Sequence, residues 1–137
     1  MKKKIIISCF LIILVTVILG VTIKKFSNPL RKSEERIRED MLELTPIGMS
    51  MGEVVEVIKS NEEWTIDWIT YDYGYGLDRA GSPGEDYHVE IGEKSIRIYI
   101  GKYNIGIIVP VHVIVYYGFD EDSKLIDIAV RKDMDVL

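Results

Sequence analysis

The stretch Leu44 to Ile58, LTPIGMSMGEVVEVI, constrains the fold of this 137-residue chain more than any other. Pro46 disfavours helical conformation in the residue before it, so a helix arriving from upstream ends there. Ser50 and Glu53 stand at capping-box spacing. The serine hydroxyl accepts from the backbone N–H of residue 53, and the glutamate reaches back to the N–H of residue 50. Met51, Val54, Val55 and Ile58 follow at i, i+3, i+4 and i+7, which predicts a short amphipathic helix ending near Ser60-Asn61. A helix with one apolar stripe needs a second layer against which to bury it.

The residues downstream supply that layer. From Trp64 the apolar period changes from helical to alternating. Trp64, Ile66 and Trp68 share one face, whereas Ile69, Tyr71, Tyr73 and Tyr75 fall on the other parity, which predicts a bulge near Trp68-Ile69. Gly74 to Tyr87 holds four glycines and Pro83 and reads as a long loop. Ser95 to Tyr103 alternates as a strand, and Asn104-Ile105-Gly106 turns the chain. Val111, Val113, Val115 and Tyr117 mark the next strand, whose other face carries His112, Ile114 and Tyr116. After a polar turn at Asp120 to Ser123, Ile126, Ile128 and Val130 close a meander. Upstream, Ser33 caps a helix with Glu34 and Glu35 in its first turn and Ile37, Met41 and Leu44 along one stripe. The predicted fold class is α+β: an N-terminal transmembrane helix, then two helices packed on a four-stranded antiparallel meander sheet.

The transmembrane expectation rests on Ile5 to Ile23, 19 residues without charge between Lys2-Lys3-Lys4 and Lys24-Lys25. A helix of that length spans roughly 30 Å, the thickness of a hydrocarbon core. A cleavable signal peptide has a shorter apolar region ending at small residues, and Gly20-Val21-Thr22 matches that pattern poorly. Cys9 follows Ile6-Ile7-Ser8 with few apolar residues before it, too few for a lipoprotein site. Residues 1–26 are therefore read as an uncleaved anchor, 27–33 as a short linker through Ser27-Asn28-Pro29, and 34–137 as one globular domain. The short lysine-rich N-terminus predicts a single-pass protein with an extracytoplasmic domain. Lys24, Lys25, Arg31, Lys32, Arg36 and Arg38 count toward the opposite orientation.

Five of the 17 basic residues flank the apolar run, so residues 27–137 hold 12 basic against all 22 acidic residues, a net charge of −10. That balance disfavours nucleic acid and anionic lipid head groups and suits a basic protein partner. Cys9 is the single cysteine, so residues 27–137 contain neither a disulfide nor a thiol.

The most suggestive surface is the run Tyr71-Asp72-Tyr73-Gly74-Tyr75-Gly76-Leu77-Asp78. Tyrosine combines broad contact area with a hydroxyl at low entropy cost, and glycine lets a loop adapt. Tyr71, Tyr73, Tyr75, Asp72 and Asp78 are the candidate partner-binding residues; the plainer reading has the tyrosines edging a sheet and the glycines turning a loop. Asp72, Asp78, Glu85 and Asp86 match no compact metal loop, and Asp120, Asp122 and Asp127 fail the D-x-D-x-D-G pattern. His88 and His112 each lack a second ligand at zinc spacing, although His88-Val89-Glu90 puts two polar groups on one strand face. No G-x-S-x-G, H-E-x-x-H, phosphate loop or dinucleotide fingerprint occurs. The expectation is a non-enzyme with no catalytic, metal or cofactor residues.

Two local patterns resemble the small outer-membrane lipoprotein A/BamE-like family and, more broadly, the β-lactamase-inhibitor-protein-like fold. Ile47-Gly48-Met49-Ser50 with Glu53-Val54 is similar to the family's helix start. Tyr116-Tyr117-Gly118-Phe119-Asp120-Glu121-Asp122-Ser123-Lys124-Leu125 is similar to its late strand-turn-strand. The match spans roughly Leu44 to Val130 and covers a single copy of the unit where inhibitor proteins carry two. The resemblance implies a helix-helix-sheet fold used for protein binding, in envelope assembly or hydrolase inhibition. A bacterial cell with one membrane and an exported, tethered module suits a chain with an apolar helix in place of the lipid. The expected function is thus a membrane-anchored extracytoplasmic protein-interaction module acting in envelope or membrane-complex assembly. The alternatives are an inhibitor or immunity-type protein that neutralises a toxin or hydrolase, and a metal-dependent enzyme using His88 and the acids between 72 and 86.

Overall fold

The computed structural model describes residues 13, 16, 28–79, 87–106 and 109–134, without the side chains of 77–79, 87 and 88. Apart from Ile13 and Thr16, the expected membrane span 5–23 lies outside the described residues, and among the described residues no helix is long and apolar enough to cross a membrane. The chain divides into two units, Met1–Arg31 and Lys32–Leu137. In the first, a single 3-10 turn at Pro29–Arg31 is opened by Asn28, whose side-chain oxygen accepts from the Leu30 N–H at 3.0 Å.

The second unit is α+β. Helices α1 (Glu34–Leu44) and α2 (Met51–Ser60) precede strands β1 (Thr65–Thr70), β2 (Tyr75–Arg79), β3 (Tyr87–Ile91), β4 (Lys94–Ile105), β5 (Val109–Phe119) and β6 (Leu125–Met134). The expected four-stranded antiparallel sheet is present in the order β1-β4-β5-β6. Beside it, β2 and β3 form a two-stranded ribbon in which Tyr75 faces Ile91 and Leu77 faces Val89. The long loop expected over Gly74 to Tyr87 is corrected over Tyr75–Arg79 and at Tyr87, which are strand; residues 80–86 lie outside the described residues. The alternation of Tyr75 and Leu77 against Val89 and Ile91 is a short strand signal that the surrounding glycines conceal.

One sheet face forms the core with the helices. In register across it, Tyr117 lies between Ile96 and Ile128, and Val115 between Ile98 and Val130. All five aliphatic residues and Tyr117 are buried, as are Ile37 and Met41 of α1 and Met51, Val54 and Ile58 of α2. The Tyr117 hydroxyl reaches the Met41 sulfur at 3.7 Å, which fixes this as the helix-covered face. Leu44 is a correction: it is 51% exposed, and the next turn of the stripe is completed by the fully buried Thr45. Thr45 fits there because its hydroxyl donates to the Met41 carbonyl at 2.7 Å as the helix ends.

The segment before α2 takes the form its sequence predicts and adds long-range bonds. The Ser50–Glu53 capping box is formed, and Gly48 adopts a φ of +89°, a left-handed conformation suited to glycine. The Gly48 N–H donates to the Leu125 carbonyl at 2.8 Å, the Leu125 N–H to the Met49 carbonyl at 2.9 Å, and the Met51 N–H to the Ser123 carbonyl at 2.9 Å. The helix start and the β5–β6 turn are thus held together. On the outer edge of β6, Arg38 donates to the Ile128 carbonyl at 2.6 Å and Glu34 accepts from the Lys132 N–H at 2.9 Å. Helix α1 therefore satisfies backbone groups that an exposed edge strand would offer to another chain.

Candidate functional site: an aromatic groove on the second sheet face

The second face of the sheet is crossed at one end by the β2–β3 ribbon. Gly118 marks the crossing: a Cβ there would stand 2.9 Å from the Tyr75 ring and 3.1 Å from the Ile91 carbonyl oxygen. The absence of a side chain on β5 is what lets the ribbon lie against the sheet. Past Gly118 the same face presents Tyr116 of β5, with Arg97 of β4 and Trp68 of β1 in register beyond it. Strand β1 slips register between Ile66 and Trp68, one residue before the expected bulge.

Tyr75 anchors the ribbon. It is 1% exposed, and its hydroxyl donates to Asp127 at 3.0 Å while Arg38 binds the other carboxylate oxygen of Asp127 at 2.7 Å. Burial, and then the Asp127 charge, push its phenol well above the usual tyrosine range. Tyr75 is accordingly a scaffold residue, 1% exposed beside the exposed turn that precedes it.

Strand β1 ends at Thr70, so Tyr71, Asp72 and Tyr73 stand on a turn, all exposed, with Tyr71 at 65% and Tyr73 at 55%. The turn is pinned from beneath. The Tyr73 carbonyl accepts from the Thr70 hydroxyl at 2.6 Å and the Ser95 hydroxyl at 3.0 Å, and the Gly74 N–H donates to Glu90 at 3.0 Å. Tyr73 is thereby held beside Trp68, their ring centroids 6.4 Å apart and tilted by 47°. Trp68 and Tyr116 are also 6.4 Å apart, tilted by 60°, and Tyr116 and Tyr75 are 5.7 Å apart. Between these rings lies a cavity of about 570 Å³, lined by Trp68, Tyr73, Tyr75, Tyr116, Glu90 and Arg131.

Arg97 borders the groove. Its guanidinium lies 5.8 Å from the Tyr116 centroid and forms a 3.0 Å ion pair with Asp67. A second hollow of about 290 Å³ holds Asp67, Arg97, Tyr99, His112, Ile114 and Asp133, with the Tyr99 and His112 rings 5.7 Å apart. His112 is thus part of a ring pair on the sheet. Asp78 sits on β2 in register with His88 on β3. Glu85 and Asp86 lie outside the described residues, and among the described ones no three His, Cys, Asp or Glu side chains converge on a metal position.

No family model matches this chain. Nor does any curated protein or solved structure. What the groove can do follows from its chemistry: four aromatic residues around one cavity, with a carboxylate and a guanidinium in its lining. Those are the elements of a binding surface. Trp68, Tyr116, Arg97 and Arg131 were not singled out as site residues by sequence reasoning, and Glu90 was weighed only beside His88 as a metal ligand. The available signal was parity: Tyr116 follows His112 and Ile114 on the second face of β5.

Proposed function

We propose that the chain is a membrane-tethered, extracytoplasmic protein-interaction module that holds its partner on the second sheet face. The observation that carries the reading is the aromatic groove on a sheet whose opposite face is used for the core. The groove presents the exposed Tyr73 with the half-buried Trp68 and Tyr116, and tyrosine and tryptophan are among the residue types that dominate binding energy in protein interfaces. The charge of −10 over residues 27–137 favours a basic partner. The apolar run 5–23 between lysine clusters supports the tether.

A photo-crosslinking residue at position 73 is expected to capture one discrete partner in native membranes, and the same residue at the exposed Glu56 of α2 is not. Equal capture at both positions would count against the groove. The acidic domain also favours the inhibitor or immunity-type reading, which predicts a single tight, basic partner that co-purifies stoichiometrically; an assembly role predicts a membrane complex of several proteins.

A further inference from the structure

We propose that the groove is a cation cage that receives an arginine or lysine side chain of the partner protein, an inference that rests on the protein-binding reading above. Trp68, Tyr73 and Tyr116 surround one cavity, and tilts of 47° and 60° keep Tyr73 and Tyr116 from stacking on Trp68. An aromatic face attracts a cation within about 6 Å of its centroid, and with Tyr116 already flanked by Arg97 and Tyr75, the faces of Trp68 and Tyr73 are the ones offered to an incoming cation. The cavity of about 570 Å³ accommodates a long side chain together with its charged head.

Glu90 supplies a carboxylate in the same wall, oriented by the 3.0 Å bond from the Gly74 N–H. The protein already uses this chemistry on itself: Arg97 lies 5.8 Å from the Tyr116 centroid, and the Lys132 ammonium 5.1 Å from that of Tyr103. Arg131 is the like charge in the lining, and it has an interaction partner of its own. The excess of ten negative charges over residues 27–137 draws a basic segment toward the surface.

The test uses the full chain in dodecyl maltoside, ¹⁵N-labelled on tryptophan, titrated with acetyl-Gly-Arg-Gly-amide and with its neutral isostere acetyl-Gly-citrulline-Gly-amide. A Trp64→Phe variant assigns the Trp68 indole signal. The arginine peptide is expected to shift that signal saturably, with the citrulline peptide binding about tenfold more weakly. Tyr73→Phe, which keeps the ring, should bind within about twofold of the native chain, and Tyr73→Ala about tenfold more weakly with the rest of the spectrum retained. Equal binding of the two peptides overturns the cage, as does the absence of a saturable shift or an equal loss in the Phe and Ala variants. A Trp68 response to phosphatidylcholine vesicles in place of the peptide would assign the cavity to a lipid head group and overturn it too. If crosslinking from position 73 still captures a protein, the protein-binding reading survives the loss of the cage; if both fail, both fall.

Discussion

Tyr75 and Tyr117 sit on opposite faces of the sheet, and both hide a phenol that water would otherwise hydrate. Tyr75 satisfies its hydroxyl with Asp127, which Arg38 also binds, so one carboxylate ties the ribbon, β6 and α1 together. Tyr75→Phe removes a hydrogen bond to a charged acceptor and is expected to destabilise the fold by about 1–3 kcal/mol in urea denaturation. Tyr73, two residues earlier and exposed, has no such role, and Tyr73→Ala should change the urea midpoint little. Tyr117 is pushed up to about 12 by burial, against an ordinary value of 10.0. A group whose folded pKa is raised contributes stability in full below its unfolded value and loses it as pH rises through the folded one. Stability is therefore expected to fall from pH 10 toward 12, with phenolate absorbance appearing together with loss of circular dichroism. Tyr117→Phe should blunt that alkaline transition.

The element whose design is most local is α2. Its N-cap, capping box and apolar spacing all lie within residues 50–58, so each is legible in the sequence. Ser50→Ala is expected to cost about 1 kcal/mol, the usual loss for an N-cap serine. The Glu53 carboxyl is held below its ordinary value of 4.5, chiefly by the Ser50 hydroxyl and then by the Ser50 backbone N–H. Its contribution is present above pH 4.5 and lost as pH falls through the lowered folded value, so the Ser50→Ala difference should shrink in acid. Helix α1 was legible in its start and stop and misread at its last buried position. Leu44 and Thr45 both fall near the end of the stripe, and hydrophobicity alone favours leucine. The buried site went to the residue that could satisfy its own hydroxyl on the Met41 carbonyl. The ribbon was the element least visible, because glycines break the periodic signal of β2 and its pairing partner β3 begins only at Tyr87.

At the scale of the whole molecule, the order β1-β4-β5-β6 places the two longest strands, β4 and β5, at the centre. Their common register brings Trp68 of β1, Arg97 of β4 and Tyr116 of β5 into one row, although 48 residues separate the first from the last. The placement of this domain outside the membrane is a prediction at the same scale. In a Cys9→Ser background, a cysteine introduced at the exposed Asp122 should react with an impermeant maleimide on intact cells. Complete protection would reverse the orientation.

The amino-acid sequence by itself determined the helices, their caps, the alternating strands, the acidic charge and the apolar run at the N-terminus, since each depends on neighbours within about ten residues. Only the tertiary structure decided that Tyr75 is buried while Tyr73 is exposed, that Gly118 admits the ribbon, and that Trp68, Tyr73 and Tyr116 share a cavity. Those outcomes depend on strand order, on register and on a slip in β1, which juxtapose residues far apart in the chain. Local periodicity carries information about which face a residue takes within its own element; it carries none about which distant element will lie across that face.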